Sequence, residues 1–268
     1  MPGGETSGEM IERPTAVAPA PRTLYIHDDL TDALAAHGET SRARRLGQQL
    51  LATLRRDAGR VVVLTLAEQL DALVARGDHP RFTATIGIGR AGARVAAQIH
   101  ARTGWFPTIH RVDVWREEDG RGGYVVSGPA AIVSQLPSAL GSTPVAVVDD
   151  TVFSGLTMRT VLAALPREAL RLAQAFCLRA VAESLESVRR IAPVTAGFAA
   201  PGRIDEDVSF INASGLVDRT AIRRAGQPSL AFFERPEWIR AWFPGYHDEV
   251  ITLCRDLRAE LDASGGAA

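Results

Sequence analysis

One short stretch, residues 145–157, constrains the fold of this chain more than any other. Residues 145–148 are apolar, and Asp149 and Asp150 follow them directly. Such a run predicts a buried strand of a parallel sheet that ends at a polar site. From Met158 onward, apolar side chains recur at helical spacing, so a short loop and an amphipathic helix should follow the strand. This joint presents backbone N–H groups and a positive helix end, and it therefore predicts an anion-binding site.

The loop and the acid pair have different chemistry. The loop is rich in small and hydroxyl-bearing residues and consists of Phe153, Ser154, Gly155, Leu156 and Thr157. Asp149 and Asp150 are unsuited to holding phosphate directly, but they can accept hydrogen bonds from sugar hydroxyls or share the water shell of a divalent metal. Acids are also common at ordinary strand ends of α/β proteins, so the acid pair alone leaves a purely structural role open.

The whole run resembles the phosphoribosyl-diphosphate (PRPP) binding motif of type I phosphoribosyltransferases. The residues that fit this motif are Asp149, Asp150, Val152, Ser154, Gly155 and Thr157. The resemblance implies Mg²⁺-dependent transfer of 5-phosphoribose from PRPP to a small acceptor, with release of diphosphate. It assigns Asp149 and Asp150 to the ribose hydroxyls and residues 153–157 to the 5-phosphate. Mg²⁺ would be bound through PRPP, near the two acids.

Two positions depart from the motif. Thr151 stands where an aliphatic residue is usual, and Phe153 stands where a small or acidic residue is usual. In purine-salvage members of the family, an acid at the position of Phe153 is implicated in handling the acceptor's proton. Phenylalanine cannot do this. We therefore expect an enzyme that does not act on hypoxanthine or guanine, and an acceptor that arrives deprotonated or is deprotonated by another group.

A second loop with glycines opens a helix earlier in the chain. It consists of Gly89, Arg90, Ala91 and Gly92. Close backbone approach to a diphosphate needs glycine, and Arg90 can add charge-assisted hydrogen bonds, so the resemblance places the diphosphate of PRPP here. Together with Gly87, these glycines also spell the dinucleotide-binding fingerprint, with Asp113 near the distance of a ribose-binding acid. An NAD(P)-binding enzyme is therefore a competing hypothesis, although it leaves the acid pair without a role.

Residues 116–124 are polar, rich in glycine and without an apolar pattern. Their place between the two anion loops resembles the flexible loop that closes over the active site in orotate-type members of the family. Such loops usually carry lysine, and this chain contains no lysine. Arg116 and Arg121 are the cations that remain, so we assign Arg116 to catalysis and Arg121 to PRPP binding. A plain mobile loop is the alternative.

Alternating strand and helix patterns predict an α/β fold with a doubly wound parallel sheet. Residues 1–22 show no periodicity and are expected to form a disordered tail, and residues 23–200 the phosphoribosyltransferase-like core. Residues 201–268 are rich in aromatic side chains. The resemblance implies that they contribute to the hood, the variable subdomain that recognises the acceptor in this family. Their aromatic side chains equally suit a packing appendage or a dimer interface.

Composition narrows the class of partner. A net charge of −1 gives no indication of the excess positive charge that binds nucleic acid or an anionic membrane. Cys177 and Cys254 lie in apolar segments and are expected to be buried thiols. Without a signal peptide or an apolar run that could span a bilayer, we expect a cytoplasmic protein, and we expect a homodimer.

Phe153, the lysine-free loop and the unmatched C-terminal region leave room for a regulator of the same fold that binds PRPP or a nucleotide as a signal.

Overall fold

The computed structural model of this chain describes residues 20–77, 79, 81–119, 123–138, 140–141 and 143–265. Residues 1–19 of the expected tail and Arg121 of the expected site lie outside these ranges. Within them, no helix is long and apolar enough to cross a membrane. Cys177 and Cys254 are free and buried, as expected from their apolar surroundings.

Strands and helices alternate through most of the chain. The strands are β1 (Thr23–Asp28), β2 (Val61–Thr65), β3 (Ala84–Ile88), β4 (Ile109–Val112), β5 (Trp115–Glu118), β6 (Tyr124–Ser127), β7 (Val145–Val152), β8 (Ala173–Val181), β9 (Val194–Ala200), β10 (Val208–Asn212), β11 (Ile222–Arg224) and β12 (Gln227–Leu230). The α-helices are α1 (Leu30–Ala33), α2 (Arg42–Leu54), α3 (Leu66–Val74), α4 (Gly89–Thr103), α5 (Ile132–Gln135), α6 (Leu156–Ala163), α7 (Arg167–Leu170), α8 (Ala182–Arg189), α9 (Pro236–Trp242) and α10 (His247–Gly265). Two short 3₁₀ helices span Ser214–Leu216 and Phe232–Glu234.

The central sheet has five parallel strands in the order β4-β3-β7-β8-β9. Successive side chains of a strand point to opposite faces of the sheet, so β7 contributes side chains to two separate hydrophobic cores. Val147 packs in a cluster with Val161 of α6 and Leu185 of α8. Val148, one residue later, packs in another cluster with residues of α3 and α4, among them Leu73. Helices cover both faces, and the predicted doubly wound α/β architecture is confirmed.

A second parallel sheet joins the two ends of the chain in the order β10-β1-β2. Its core includes Leu50 of α2, Trp242 of α9, Phe243 directly after α9, and Cys254 of α10. The expected grouping of residues 23–200 as one unit therefore differs from the strand pairing, because β1 and β2 pair with the C-terminal β10. Local sequence patterns identify β1 as a strand but do not say which sheet it joins.

A third sheet, in the order β12-β11-β5-β6, contains the segment expected to be a lid. β5 and β6 form an antiparallel hairpin, and β11 of the C-terminal region pairs with β5 in parallel. The chain leaves the central sheet after Val112 and begins this new sheet at Trp115. The expected loop at residues 116–124 is thus a hairpin whose arms are strands, and residues 120–122 at its tip lie outside the described ranges.

Candidate functional site

The order of the central strands creates a crevice between β3 and β7. Along the chain, β3 is the first strand of this sheet. The next strand, β4, pairs on one side of β3, and β7, β8 and β9 follow on the other side. Loops that follow β3 and β7 therefore diverge at the carboxyl edge of the sheet, which is where open α/β sheets bind ligands. The glycine loop follows β3 and the acidic motif ends β7. The tertiary structure thus brings together the two anion loops predicted from sequence.

A cleft of about 1120 Å³ opens at this edge. All five loop residues 153–157 line it, together with Asp150, Ala91 and Arg116. The rest of its lining comes largely from residues 204–242, so the C-terminal region forms one wall of the cleft.

The loop after β7 is shaped to expose helix N–H groups. Gly155 has φ +79°, a left-handed conformation that strongly favours glycine, and α6 begins at the next residue. The Leu156 N–H donates to Ser154 Oγ at 3.3 Å. The N–H groups of the first helical turn have no acceptor within the helix, and the helix dipole adds positive potential there. This loop is therefore suited to hold a phosphate group, and we call residues 153–157 the phosphate loop.

The glycine loop after β3 divides into packing and exposed positions. Gly92 is buried, and a Cβ atom there would lie 2.3 Å from the Val148 carbonyl oxygen, so glycine allows α4 to lie directly on β7. Gly89 has φ +60°. Ala91 is exposed and lines the cleft, and Arg90 is exposed without being among the lining residues. Ala91 is thus the residue of this loop that the structure places in the cleft.

We expect Gly92→Ala to destabilise the fold by about 1–3 kcal/mol, the usual cost of overpacking a core. The added methyl group would force α4 away from β7, because the obstacle is backbone. Urea unfolding measures the change. Gly141→Ala is the matched control, since nothing lies within 4 Å of a Cβ atom at Gly141. Equal stability of the two variants would contradict this account of the packing.

The two motif acids have different surroundings because they point to opposite faces of β7. Asp149 is 8% exposed, lies outside the cleft lining, and accepts a hydrogen bond from the Asp150 N–H at 2.8 Å. Burial, reinforced by the charge of Asp150, raises the pKa of Asp149 well above its ordinary value. The side chain of Asp150 is 19% exposed and lines the cleft. Of the pair, Asp150 is the acid that the cleft presents.

A buried arginine holds Asp150 in place. Arg179 of β8 is 1% exposed and donates to Asp150 Oδ2 at 3.0 Å, to Asn212 Oδ1 at 2.7 Å and to Gln69 Oε1 at 2.9 Å. Burial alone would raise the pKa of Asp150, but the guanidinium of Arg179, with smaller contributions from neighbouring groups, keeps that pKa below its ordinary value. Asp150 is therefore held as a carboxylate.

The arginine network continues to His27 at the end of β1. Gln69 Nε2 lies 2.8 Å from His27 Nδ1 and also donates to the Thr65 carbonyl oxygen at 2.9 Å. Because Gln69 Oε1 accepts from Arg179, the amide nitrogen faces His27, and Nδ1 of a neutral imidazole is the acceptor. Burial, followed by the charge of Arg179, lowers the pKa of His27 to about 4.

Sequence reasoning missed this network of His27, Gln69, Arg179 and Asn212. One signal was present, because Arg179 is a charged residue inside the otherwise largely apolar run of β8. A charge in a buried strand needs a partner, and the strand paired with β8 in register carries Asp150.

Arg116 lies beside the phosphate loop and lines the cleft. Its guanidinium carbon is 5.3 Å from the ring centroid of Tyr124 and 5.7 Å from that of Phe153, and it donates to Ser154 Oγ at 3.4 Å. Stacking between two rings fixes the plane of the guanidinium.

Asp113, the ribose-binding acid of the dinucleotide hypothesis, is engaged elsewhere. Its carboxylate pairs with Arg111 at 2.7 Å, and its backbone N–H donates to Gln135 Oε1 at 2.7 Å. It is not among the residues that line the cleft. Asp150 and the loop after β7 line the cleft, whereas Asp113 does not.

No protein-family model and no curated protein sequence matches this chain. Solved structures similar to it include a purine phosphoribosyltransferase from Pyrococcus horikoshii, at 20% identity and a TM-score of 0.39 over 56% of this chain and 91% of that one. An orotate phosphoribosyltransferase from Aeropyrum pernix matches at 22% identity and a TM-score of 0.32, over 50% and 69%. A hypothetical protein from Neisseria gonorrhoeae, solved with bound ppGpp, matches at 19% identity and a TM-score of 0.40, over 55% and 85%.

The fold itself follows from the strand order and the loops described above. Five parallel strands covered on both faces, with the acidic motif ending the central strand, form the α/β architecture that the resemblance to type I phosphoribosyltransferases predicts.

Proposed function

We propose that this protein binds PRPP and transfers its 5-phosphoribosyl group to a small acceptor, with release of diphosphate. The observation that carries this proposal is the acidic PRPP-type motif, whose phosphate loop and Asp150 line one cleft at the switch point of the sheet. Such a crevice is the expected ligand site of the fold, and the motif supplies both an anion cradle and a sugar-binding acid.

PRPP would lie along the carboxyl edge of the sheet. The 5-phosphate accepts hydrogen bonds from the N–H groups of residues 153–157 and from the Thr157 hydroxyl, with Arg116 adding charge. Arg179 and the Thr151 hydroxyl both use Oδ2 of Asp150, so Oδ1 is the atom assigned to a ribose hydroxyl. Asp149 acts indirectly in this scheme, by accepting the Asp150 N–H.

Mg²⁺ fits this site only with help from the substrate. Among the described residues, no group of three or more His, Cys, Asp or Glu side chains could hold a metal ion. Mg²⁺ commonly binds through one or two carboxylates plus substrate phosphates and water, and the ionised Asp150 supplies one such ligand. When bound, the ion would neutralise negative charge on the diphosphate leaving group.

In the transfer step, a nucleophilic atom of the acceptor forms a bond to C1 of the ribose while the C1–O bond to diphosphate breaks. The electron pair leaves with diphosphate. The fixed negative charge of Asp150 stabilises the positive charge that develops on the sugar. Phe153 provides no base, so the acceptor either arrives deprotonated or loses its proton to another group. The β5–β6 hairpin, which carries Arg116, is the element that would exclude water from the cationic sugar.

Calorimetric titration with PRPP, with and without Mg²⁺, tests the proposal. We expect Thr157→Val to weaken PRPP binding at least about tenfold, because a hydrogen bond to a charged phosphate is lost. Thr160→Val is the matched control one turn later in α6, where the hydroxyl donates to the Leu156 carbonyl oxygen. It should change the affinity less than about twofold. Wild-type protein that binds NAD and not PRPP would overturn the proposal in favour of the dinucleotide hypothesis.

A regulator that binds PRPP or a nucleotide without transfer is the second candidate function. The pairing of Asp150 with Arg179 favours this candidate, because one of the two carboxylate oxygens of Asp150 is already bound to a group of the protein. Phe153, which cannot take a proton from an acceptor, favours it as well. Mg²⁺-dependent PRPP binding without diphosphate release over a panel of acceptors would select the regulator.

A further inference from the structure

The C-terminal wall of the cleft is built from aromatic and arginine side chains. We call this set the acceptor wall, and it consists of Trp115, Arg223, Phe232, Arg235, Trp238 and Trp242. Phe232, Trp238 and Trp242 form a ring cluster with centroid separations of 5.3 to 6.1 Å. Trp115 belongs to the hairpin, and β11 brings Arg223 onto it. None of these side chains belongs to the phosphate loop, so the wall is available for a second ligand beside PRPP.

Two arginines of the wall lie on tryptophan rings. The guanidinium carbon of Arg223 is 4.7 Å from the ring centroid of Trp115, and that of Arg235 is 5.5 Å from Trp238. Stacking on an indole restricts the guanidinium to one plane and leaves its N–H edge available. Arg235 already pairs with Glu118 at 3.5 Å and with Glu237 at 3.7 Å. Arg223, within the described part of the chain, has no ion pair and no side-chain hydrogen bond.

None of the acids that line the cleft is paired with Arg223 among the described contacts, and each of them accepts from, or pairs with, another group. The pairs are Asp150 with Arg179, Glu118 and Glu237 with Arg235, Asp205 with the Ser209 hydroxyl, and Asp218 with the Thr220 N–H. Arg116 lies at the phosphate loop and is accounted for by PRPP. Among the described residues, Arg223 is thus a cation on the cleft wall without an ion-pair partner. A fixed guanidinium of this kind suits a carboxylate, which it can bind through two parallel hydrogen bonds.

We infer that the acceptor wall binds a flat ring that carries a carboxylate, with the ring on the aromatic cluster and the carboxylate on Arg223. The inference rests on the proposed function in one respect, since it makes this ring the acceptor of the phosphoribosyl group.

Matched pairs of ring compounds test the inference. Nicotinate and nicotinamide, benzoate and benzamide, and orotate and uracil are titrated into the protein with and without PRPP and Mg²⁺, with tryptophan fluorescence as the readout. We expect at least one carboxylated ring to bind tenfold or more tightly than its uncharged counterpart. Arg223→Gln should abolish that preference, and Arg223→Lys should keep part of it. Arg224→Gln is the control, because the neighbouring Arg224 is occupied by the Pro228 carbonyl oxygen.

The outcomes separate this inference from the proposed function. No carboxylate preference in any pair, or equal loss in the Arg223→Gln and Arg224→Gln variants, would overturn the carboxylate site. PRPP affinity should be unchanged in Arg223→Gln. A carboxylate preference that depends on Arg223 in a protein that does not bind PRPP would support the site and overturn the proposed transfer.

Discussion

Replacing Arg179 by glutamine should lower the free energy of unfolding by about 3–5 kcal/mol, the usual cost of removing one partner from a buried ion pair. The variant would leave the Asp150 carboxylate without its counter-charge, and it would remove donors from Asn212 and Gln69. These three partners come from the central sheet, from β10 and from α3. The loss should therefore loosen the contact between the central sheet and the sheet formed by the chain ends. Urea unfolding of the two proteins gives the difference directly.

The control for this prediction is a pair on the surface. Arg189 pairs with Glu186 three residues earlier in α8, and both side chains are about half exposed or more. Arg189→Gln should cost less than about 1 kcal/mol, because exposed pairs gain little in water. Arg179→Lys keeps the charge but not the fork of donors, so its stability should lie between wild type and Arg179→Gln. If Arg179→Gln and Arg189→Gln were equally mild, the buried network would not be the link that the geometry indicates.

Stability should fall as the pH is lowered from about 6.5 to about 4, the interval between the ordinary pKa of His27 and its value in the fold. In this window the unfolded chain binds a proton on His27 that the folded chain does not accept. Folding is therefore favoured above the window and progressively less favoured within it. The slope should approach about 1.4 kcal/mol per pH unit, for a total on the order of 3 kcal/mol. The cause is burial, with the Arg179 guanidinium second.

Other groups titrate nearby, so the effect must be isolated with variants. Asp149 works in the opposite direction, because its pKa is raised and its contribution to stability is lost as the pH rises. Asp28 and Asp150 face His27 as well and favour its charged form. His27→Gln keeps an acceptor for Gln69 and should flatten the slope between pH 6.5 and 4, whereas His100→Gln, at an exposed position, should leave it unchanged. An unaltered slope in His27→Gln would show that the His27 imidazole is not neutral in the folded protein.

Local patterns in the sequence were sufficient for the parts of the site that are contiguous in the chain. The apolar run before Asp149 predicts β7, and the glycine and hydroxyl residues after it predict the turn that opens α6. Gly155 illustrates the reason, because its left-handed conformation is a property of one residue and its neighbours. The second anion loop follows in the same way from the glycines after β3. For these elements, the physical determinants lie within a few residues of each other.

The tertiary structure alone decided which distant residues meet. Nothing in the pattern of β1 distinguishes pairing with β10 from pairing with the central sheet, because both offer parallel partners with apolar faces. The meeting of Arg179 with Asp150 depends on the register of β8 against β7, and that of Arg223 with Trp115 on the pairing of β11 with β5. Strand register and order are set by long-range burial and hydrogen bonding, which the local sequence does not encode. The sequence by itself thus determined the turns after β3 and β7 and the helices that follow them, because their determinants are local. The tertiary structure determined the arginine network and the wall that complete the cleft.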